Sequence, residues 1–510
     1  VDSPRADQLV SAPMDRKRRR RAKQRRRLGF LRGAALVLAI VGGVLVAAGW
    51  VSDGTAAVGT SPRTGMELAT PMLSARRVPD LVLRPTADLK MAKALAPLAQ
   101  QSPPDSCISV GQAGGPVFEL RPDTPLLPAS NLKILVGAVA LEVLGPETTL
   151  TTRVVADADP VGGTVQGDLY FVGGGDPIIE TGNYDASLMF APQPHTALEG
   201  LADAVRAAGV TKDTGNVVGD DGRYDDLRTV ESWDPDDLSN GEVGPLSALS
   251  VNDARDRTNG GDLDDIVSGA ISDPAADPPA HAAEVLRELL IARGVVVEGA
   301  FASGEAPDQA RQIAAVDSLP VEGLVAQMLP LSDNNTPALL LKEAGRERRG
   351  VGSTAAGIKV ELELLKEWGI STEGVVIVDA SGLSGADRVT CTLLRRVLDH
   401  GEADGLLAKA LAVPGENGTL LKRWVDSPAR EAVRAKSGTL SIVTGLSGWV
   451  RTPAEFDLSF SYLINRPGAN IVQDDLTRQE QLTETLLSYP QLPDPKVLAP
   501  SEPRPVGSGS

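Results

Sequence analysis

Residues 129–144 read ASNLKILVGAVALEVL, with Gly145-Pro146 directly after them. A Gly-Pro pair ends a helix, so Ser130 to Leu144 is predicted to form one. Leu132, Ile134, Leu135, Val136, Ala138, Val139, Ala140 and Leu141 leave it almost no polar face, the pattern of a helix buried on all sides. Lys133 is the only charged residue between Ala129 and Glu142. A buried ammonium is costly unless it is paired or gives up its proton, so Lys133 is a site candidate on physical grounds. Ser130 stands three positions earlier, on the same helix face, within reach of that amine. Burial and the positive end of the helix dipole both disfavour the lysine proton, as a general base near neutral pH requires. Alone the pair carries little weight, because Ser-x-x-Lys arises about once by chance in a chain of this size. A helix-capping serine beside a snorkelling lysine reads it equally well.

Working outward, other catalytic patterns are missing. His195, His281 and His400 are the three histidines. They fall in a polar loop, at a helix start and at a helix end, where surface or capping roles fit. There is no GxSxG elbow, no HExxH and no GxxxxGK[ST] loop. Cys107 and Cys391, the two cysteines, make neither a four-thiolate zinc site nor a CxxC pair. They read either as one bridge or as two small buried hydrophobes.

Two later segments change the weight of Ser130 and Lys133. Ser332-Asp333-Asn334 lies in a polar break between predicted helices at Val321 to Met328 and Ala338 to Glu343. Lys436-Ser437-Gly438-Thr439 lies on the first of three predicted antiparallel strands, Ala432 to Leu440, Thr444 to Arg451 and Phe456 to Ile464. Taken in order, the three segments match the S-x-x-K, S-x-N and K-[ST]-G signature of penicillin-binding proteins and serine β-lactamases. Ser130 and Ser332 are 202 positions apart, which requires a large insertion between the first two motifs. In this the chain resembles the D-alanyl-D-alanine carboxypeptidase/endopeptidase family of low-molecular-mass class C penicillin-binding proteins, peptidase family S13. Residues 167–177, 248–253, 379–384 and 418–420 resemble that family too, and the likeness runs from about Ala99 to Tyr489.

The resemblance implies an α/β (α+β) fold of the serine β-lactamase and penicillin-binding-protein kind, an antiparallel sheet covered by helices. It implies a serine-type D-Ala-D-Ala carboxypeptidase, or DD-endopeptidase, acting on peptidoglycan peptides that end in D-Ala-D-Ala and acylated by β-lactams as inhibitors. Ser130 would be the nucleophile, Lys133 its base and Ser332 a proton relay. Asn334 would hold the substrate's peptide amide. Lys436, Ser437 and Thr439 would bind the terminal carboxylate, with Gly438 letting the substrate approach the strand. The backbone N–H groups of Ser130 and Thr439 would form the oxyanion hole. Residues 379–384 read as a turn supporting the site. No cofactor or metal is expected. The alternatives are a β-lactamase, which deacylates quickly, and a catalytically weak β-lactam-binding receptor or scaffold.

Composition fixes the setting. The chain has 510 residues, a formal charge of −17 and only 3% aromatic residues, which argues against nucleic acid as a partner. Eleven basic residues and no acid lie between Arg16 and Arg32, leaving the rest of the chain near −28. Gly33 to Val51 carries no charge and, as a helix, would span about 28 Å, close to the bilayer core. A basic run before an apolar one predicts a single-pass anchor in the bacterial cell membrane, with the N-terminus cytoplasmic and the catalytic domain outside. A cleaved signal peptide is the competing reading. The expected organisation is a basic segment at 1–32, a transmembrane helix at 33–51 and a spacer at 52–98. The penicillin-binding domain follows at 99–155 and 310–489, interrupted by an inserted domain at 156–309, with a Pro-rich tail at 490–510.

Overall fold

The computed structural model describes residues 84–491, apart from 113–114, 187, 189 and 256–272. The predicted basic segment, the apolar stretch at 33–51 and nearly all of the tail lie outside the described residues. Among the described residues no helix is long and apolar enough to cross a membrane.

The body is built on a five-stranded antiparallel sheet in the order Val433–Leu440, Val443–Arg451, Asp457–Asn465, Ser106–Gln112, Gly115–Leu120. The three C-terminal strands follow one another through short turns, as the alternation predicts. The N-terminal hairpin joins their far side, pairing Ser106 with Ile464 and Gln112 with Leu458. Asp457–Asn465 is buried almost end to end, because both faces of the sheet are covered. On one face the Lys133–Val143 helix runs through a core shared with helices Val321–Leu331, Asn335–Arg349, Thr354–Glu367 and Cys391–Gly401. On the other, helices Arg84–Gln101 and Gln473–Leu486 pack through Met91, Leu95, Leu482 and Leu486.

The Arg84–Gln101 helix corrects part of the expected spacer. Ala87, Met91, Leu95 and Leu98 form its buried stripe, a helical spacing that covers the sheet. Cys107 and Cys391 are joined by a disulfide, tying the first strand of the N-terminal hairpin to the start of the Cys391–Gly401 helix.

After Val143 the chain leaves the body and builds a second five-stranded sheet, ordered Phe301–Ser303, Val217–Asp220, Leu169–Val172, Thr151–Ala156, Arg311–Asp317. The first two neighbour pairs are parallel and the last two antiparallel. Helices Leu198–Ala207 and Pro278–Ala292 supply its core partners. The limits of the insert therefore differ from those expected at 156 and 309. Thr151–Ala156 and Arg311–Asp317 pair with each other, from Thr151 opposite Asp317 to Ala156 opposite Arg311. The insertion thus closes on itself through its own first and last strands before the chain re-enters the body at Val321.

Candidate active site

The first motif sits at a change of helix type. Ala129–Leu132 is a 3-10 turn and Lys133 opens the α-helix, so the predicted single helix from Ser130 is divided. Ala129 holds a left-handed conformation, φ +46°, uncommon for a residue with a β-carbon and a sign that the surroundings over-determine it. Two glycines explain the fit. At Gly438 a β-carbon would lie 2.7 Å from the Ser130 nitrogen, so only glycine lets the Val433–Leu440 strand close on the nucleophile's backbone. Gly382, at φ +81°, would drive a side chain into the Ala129 carbonyl. Gly438 thus makes room for Ser130's own backbone, a closer reason than the substrate approach expected of it.

Lys133 is fully buried. Its Nζ lies 2.8 Å from Ser130 Oγ, 2.7 Å from Asn334 Oδ1 and 2.7 Å from the Ser381 carbonyl. The last two atoms can only accept. A neutral amine therefore donates to both and keeps its lone pair for the Ser130 hydroxyl. Burial lowers the Lys133 ammonium to about 8, opposed by the charges of Asp379, Asp333 and Glu242. Desolvation thus wins, but the acids keep the group within reach of neutral pH.

Ser332 ends the Val321–Leu331 helix in the left-handed conformation, φ +65°. It accepts a hydrogen bond from Lys436 Nζ at 2.9 Å, and that nitrogen also donates to the Ser437 carbonyl at 2.6 Å. Burial, and secondarily the charge of Lys133, hold Lys436 well below the usual lysine range. Asn334 has partners at both ends of its amide, because its Nδ2 donates to the Glu242 carbonyl at 2.6 Å. Asp333 accepts from Asn335 N and from Thr336, fastening the start of the Asn335–Arg349 helix.

Strand periodicity settles where Thr439 points its amide. Ala435 N donates outward, to Ala412 O at 3.0 Å, and amides two apart on a strand face the same side. The N–H groups of Ser437 and Thr439 therefore face the open edge of the Val433–Leu440 strand.

Further residues complete the site. Thr419 Oγ1 lies 2.7 Å from Ser437 Oγ. Asp379 accepts from Ser381 Oγ and from the amides of Gly382, Leu383 and Ser384, so it folds the turn whose carbonyl receives Lys133. The insert reaches this turn as well: Trp233 Nε1 donates to Asp379 at 2.7 Å, and Ser384 Oγ donates to Ser232 Oγ at 2.7 Å. The expected supporting role of residues 379–384 gains a direct contact with Lys133. The histidines stand apart from the site's hydrogen bonds. His400 meets Glu142 at 3.0 Å and stacks on Trp368, and His281 is buried near the start of the Pro278–Ala292 helix.

The arrangement can activate a hydroxyl, present two amides to an oxyanion and seat an anion beside a buried lysine. Comparisons with known proteins place the chain among D-Ala-D-Ala carboxypeptidases. The chain is 30% identical over 422 residues to the D-alanyl-D-alanine carboxypeptidase of Actinomadura sp. (strain R39), covering 68% of this chain and 76% of that protein. It is 27% identical over 449 residues to the carboxypeptidase DacB of Mycolicibacterium smegmatis, covering 85% of this chain and 91% of that protein. In fold it matches penicillin binding protein 4 from Haemophilus influenzae with a TM-score of 0.64 at 19% identity, over 77% of this chain and 98% of that one. The profile of the D-Ala-D-Ala carboxypeptidase 3 (S13) family matches residues 106–262 and 265–486, and the chain belongs to that family of serine peptidases.

Proposed function

We propose that this chain removes the terminal D-alanine from peptidoglycan stem peptides through an acyl-enzyme on Ser130. The observation that carries the reading is the 2.8 Å contact between Ser130 Oγ and Lys133 Nζ, whose ammonium burial lowers to about 8. Ser130 Oγ attacks the carbonyl of the penultimate D-alanine while its proton passes to Lys133. The backbone N–H groups of Ser130 and Thr439 receive the negative charge on the carbonyl oxygen. The C–N bond then breaks, and the departing amine takes a proton delivered through Ser332. Water attacks the ester, freeing the shortened peptide and Ser130. Lys436, Ser437 and Thr439 seat the substrate's terminal carboxylate. That carboxylate brings the negative charge Lys436 lacks in the free enzyme, so binding favours the protonated lysine. Asn334, engaged with Lys133 and the insert, holds the base in place as well as facing the substrate amide.

β-Lactams would acylate the same hydroxyl. The basic arm at 16–32 and the apolar stretch at 33–51 support an anchored protein whose body faces the cell wall. The deciding experiment incubates the purified chain and Ser130→Ala with a peptide ending in D-Ala-D-Ala and, separately, with penicillin. Release of D-alanine and a penicillin adduct by intact mass are expected for the first and neither for the second. D-alanine release surviving in Ser130→Ala would refute the acyl-enzyme. The adduct's lifetime separates a peptidase from a β-lactamase, and purified cross-linked muropeptides separate trimming from endopeptidase cleavage. Membrane fractionation of cells expressing the chain with and without residues 1–51 tests the anchor; equal distribution would remove it.

A further inference from the structure

The insert contains a second cluster of chemistry-bearing side chains that the proposed reaction does not use. Glu180 ends the two-residue strand Ile179–Glu180, Asp185 ends the short helix Gly182–Asp185, and His195 precedes the strand Thr196–Ala197 that pairs with the first in parallel. One carboxylate oxygen from each acid and a ring nitrogen of His195 all lie within 4.8 Å of one another. Glu180 is 5% exposed and its Oε2 is buried with no hydrogen-bond partner among the described residues. Asp185 is held ready, because its Oδ1 accepts the Gln193 N–H at 2.7 Å. The His195 ring, with Nδ1 3.8 Å from Asp185 Oδ1, is partly exposed, which leaves a way in from solvent. Asp253, Asp333 and Asp176 add further negative charge around Glu180. No Lys or Arg pairs with Glu180 or Asp185 among the described residues.

We propose that Glu180, Asp185 and His195 form a divalent-cation site that joins the short helix Gly182–Asp185 to the paired strands Ile179–Glu180 and Thr196–Ala197. Two carboxylate oxygens and an imidazole nitrogen are a donor set for zinc and its first-row neighbours. With Nδ1 donating to the Gln193 carbonyl at 3.0 Å, a neutral His195 keeps Nε2 free of a proton to offer. Three protein ligands leave further positions for water. The Gln193 amide on Asp185 is the outer hydrogen bond that such ligands commonly carry. The ion would add to the two-residue strand pair and the Gln193–Asp185 hydrogen bond that hold these elements together now.

The residues just before His195 lie beside the cleft. Phe190 and Pro194 line a cavity of about 490 Å³ whose other wall includes Leu331, next to Ser332, and Gly418, next to Thr419. Gln193 meets Gln327 of the Val321–Leu331 helix at 3.4 Å. A cation at Glu180, Asp185 and His195 would therefore fix one wall of that cavity without touching the nucleophile.

The test uses the purified full chain, stripped with a chelator and dialysed against Zn²⁺. One Zn²⁺ per chain is expected by elemental analysis, with at least a tenfold loss of affinity in Glu180→Gln and in His195→Ala. Penicillin labelling of Ser130 is followed in the same samples to show that the variants are folded. Should a variant fail to label, the wild type still decides. Zn²⁺ is expected to protect His195, and not the exposed His400, from acylation by diethyl pyrocarbonate, read by peptide mass. No stoichiometric Zn²⁺ in the wild type, equal retention in both folded variants, or no protection of His195 would overturn the site. Because labelling reads Ser130 and dialysis reads the cation, failure of one reading leaves the other standing.

Discussion

The cleft and the loop of the insert each bury a cluster of ionisable side chains, and the clusters carry opposite sign. Desolvation pushes both towards neutrality, lowering Lys133 to about 8 and raising Glu180 to about 10. The neighbours make the difference. Around Lys133 the charges of Asp379, Asp333 and Glu242 oppose burial, so the amine stays near the pH at which it must work. Around Glu180 the neighbouring charges are acidic too, so Coulomb repulsion adds to burial. Asp333 appears in both sets. One acid thus restrains the shift of the base and deepens that of the glutamate: burial sets the direction of each shift, and the sign of the surroundings sets how far it goes.

The largest break in this comparison is Lys133→Ala. It leaves Ser130 without its proton acceptor, and acylation by penicillin is expected to slow about 10²- to 10⁴-fold by stopped-flow or timed intact mass. Lys133→Arg should not restore it, because a guanidinium does not give up its proton near neutral pH. In the wild type the reactive species is the neutral amine, so the acylation rate should climb as pH rises through about 8 and level off above it. A flat profile across that window would end the assignment of Lys133 as base.

Next in size is the Cys107–Cys391 bridge, which belongs to the body and leaves the acid cluster alone. Replacing both cysteines by alanine is expected to lower stability by about 2–5 kcal/mol in denaturant unfolding. Penicillin acylation at room temperature should survive, since neither sulfur approaches the cleft's hydrogen bonds. Loss of acylation in a still-folded double variant would show that the bridge positions the site and does more than stabilise it.

A smaller and more diagnostic change is Asp379→Asn. It removes the first of the charges that hold Lys133 up, so the rising limb of the acylation profile should move to lower pH. The amide also meets five donors, from Trp233, Ser381, Gly382, Leu383 and Ser384, and some must lose their acceptor. Leaving one such buried donor unmade costs about 1–3 kcal/mol, visible as a lower melting temperature. A drop in melting temperature with an unmoved profile would assign Asp379 to the turn alone.

What the sequence made legible follows from where the information lies. The three motifs are contiguous, and the nearly featureless apolar helix after Ser130 announces the burial of Lys133 without any partner being known. The C-terminal strands announce themselves by alternation because they are joined by short turns. The Arg84–Gln101 helix stayed hidden because Pro97 lies inside it and its buried stripe is four residues in a polar segment. The first and last strands of the insert were assigned across its boundary because only their mutual pairing shows that they belong together. The cysteines stayed open because 284 positions separate them, and closeness across that distance is a property of the fold. Asp379 and Thr419 fall in family-like segments, yet their work is to meet Ser381 and Ser437, which chain position does not reveal.

Thr419 gives the smallest effect and the finest test of the cleft as a network. Its hydroxyl meets Ser437 Oγ at 2.7 Å, beside the lysine proposed to seat the substrate carboxylate. Thr419→Val keeps the shape and removes one neutral hydrogen bond. Such a bond contributes about 0.5–1.5 kcal/mol, so kcat/KM for a D-Ala-D-Ala peptide should fall about twofold to tenfold. If the two hydroxyls act as one unit on the carboxylate, the fall should appear mainly in KM. Ser437→Ala in the Thr419→Val background should then add less than it does alone. Strict additivity would mean that Thr419 acts independently of Ser437. Zn²⁺ retention should not respond to either change, since both hydroxyls belong to the cleft and the cation ligands proposed above belong to the insert.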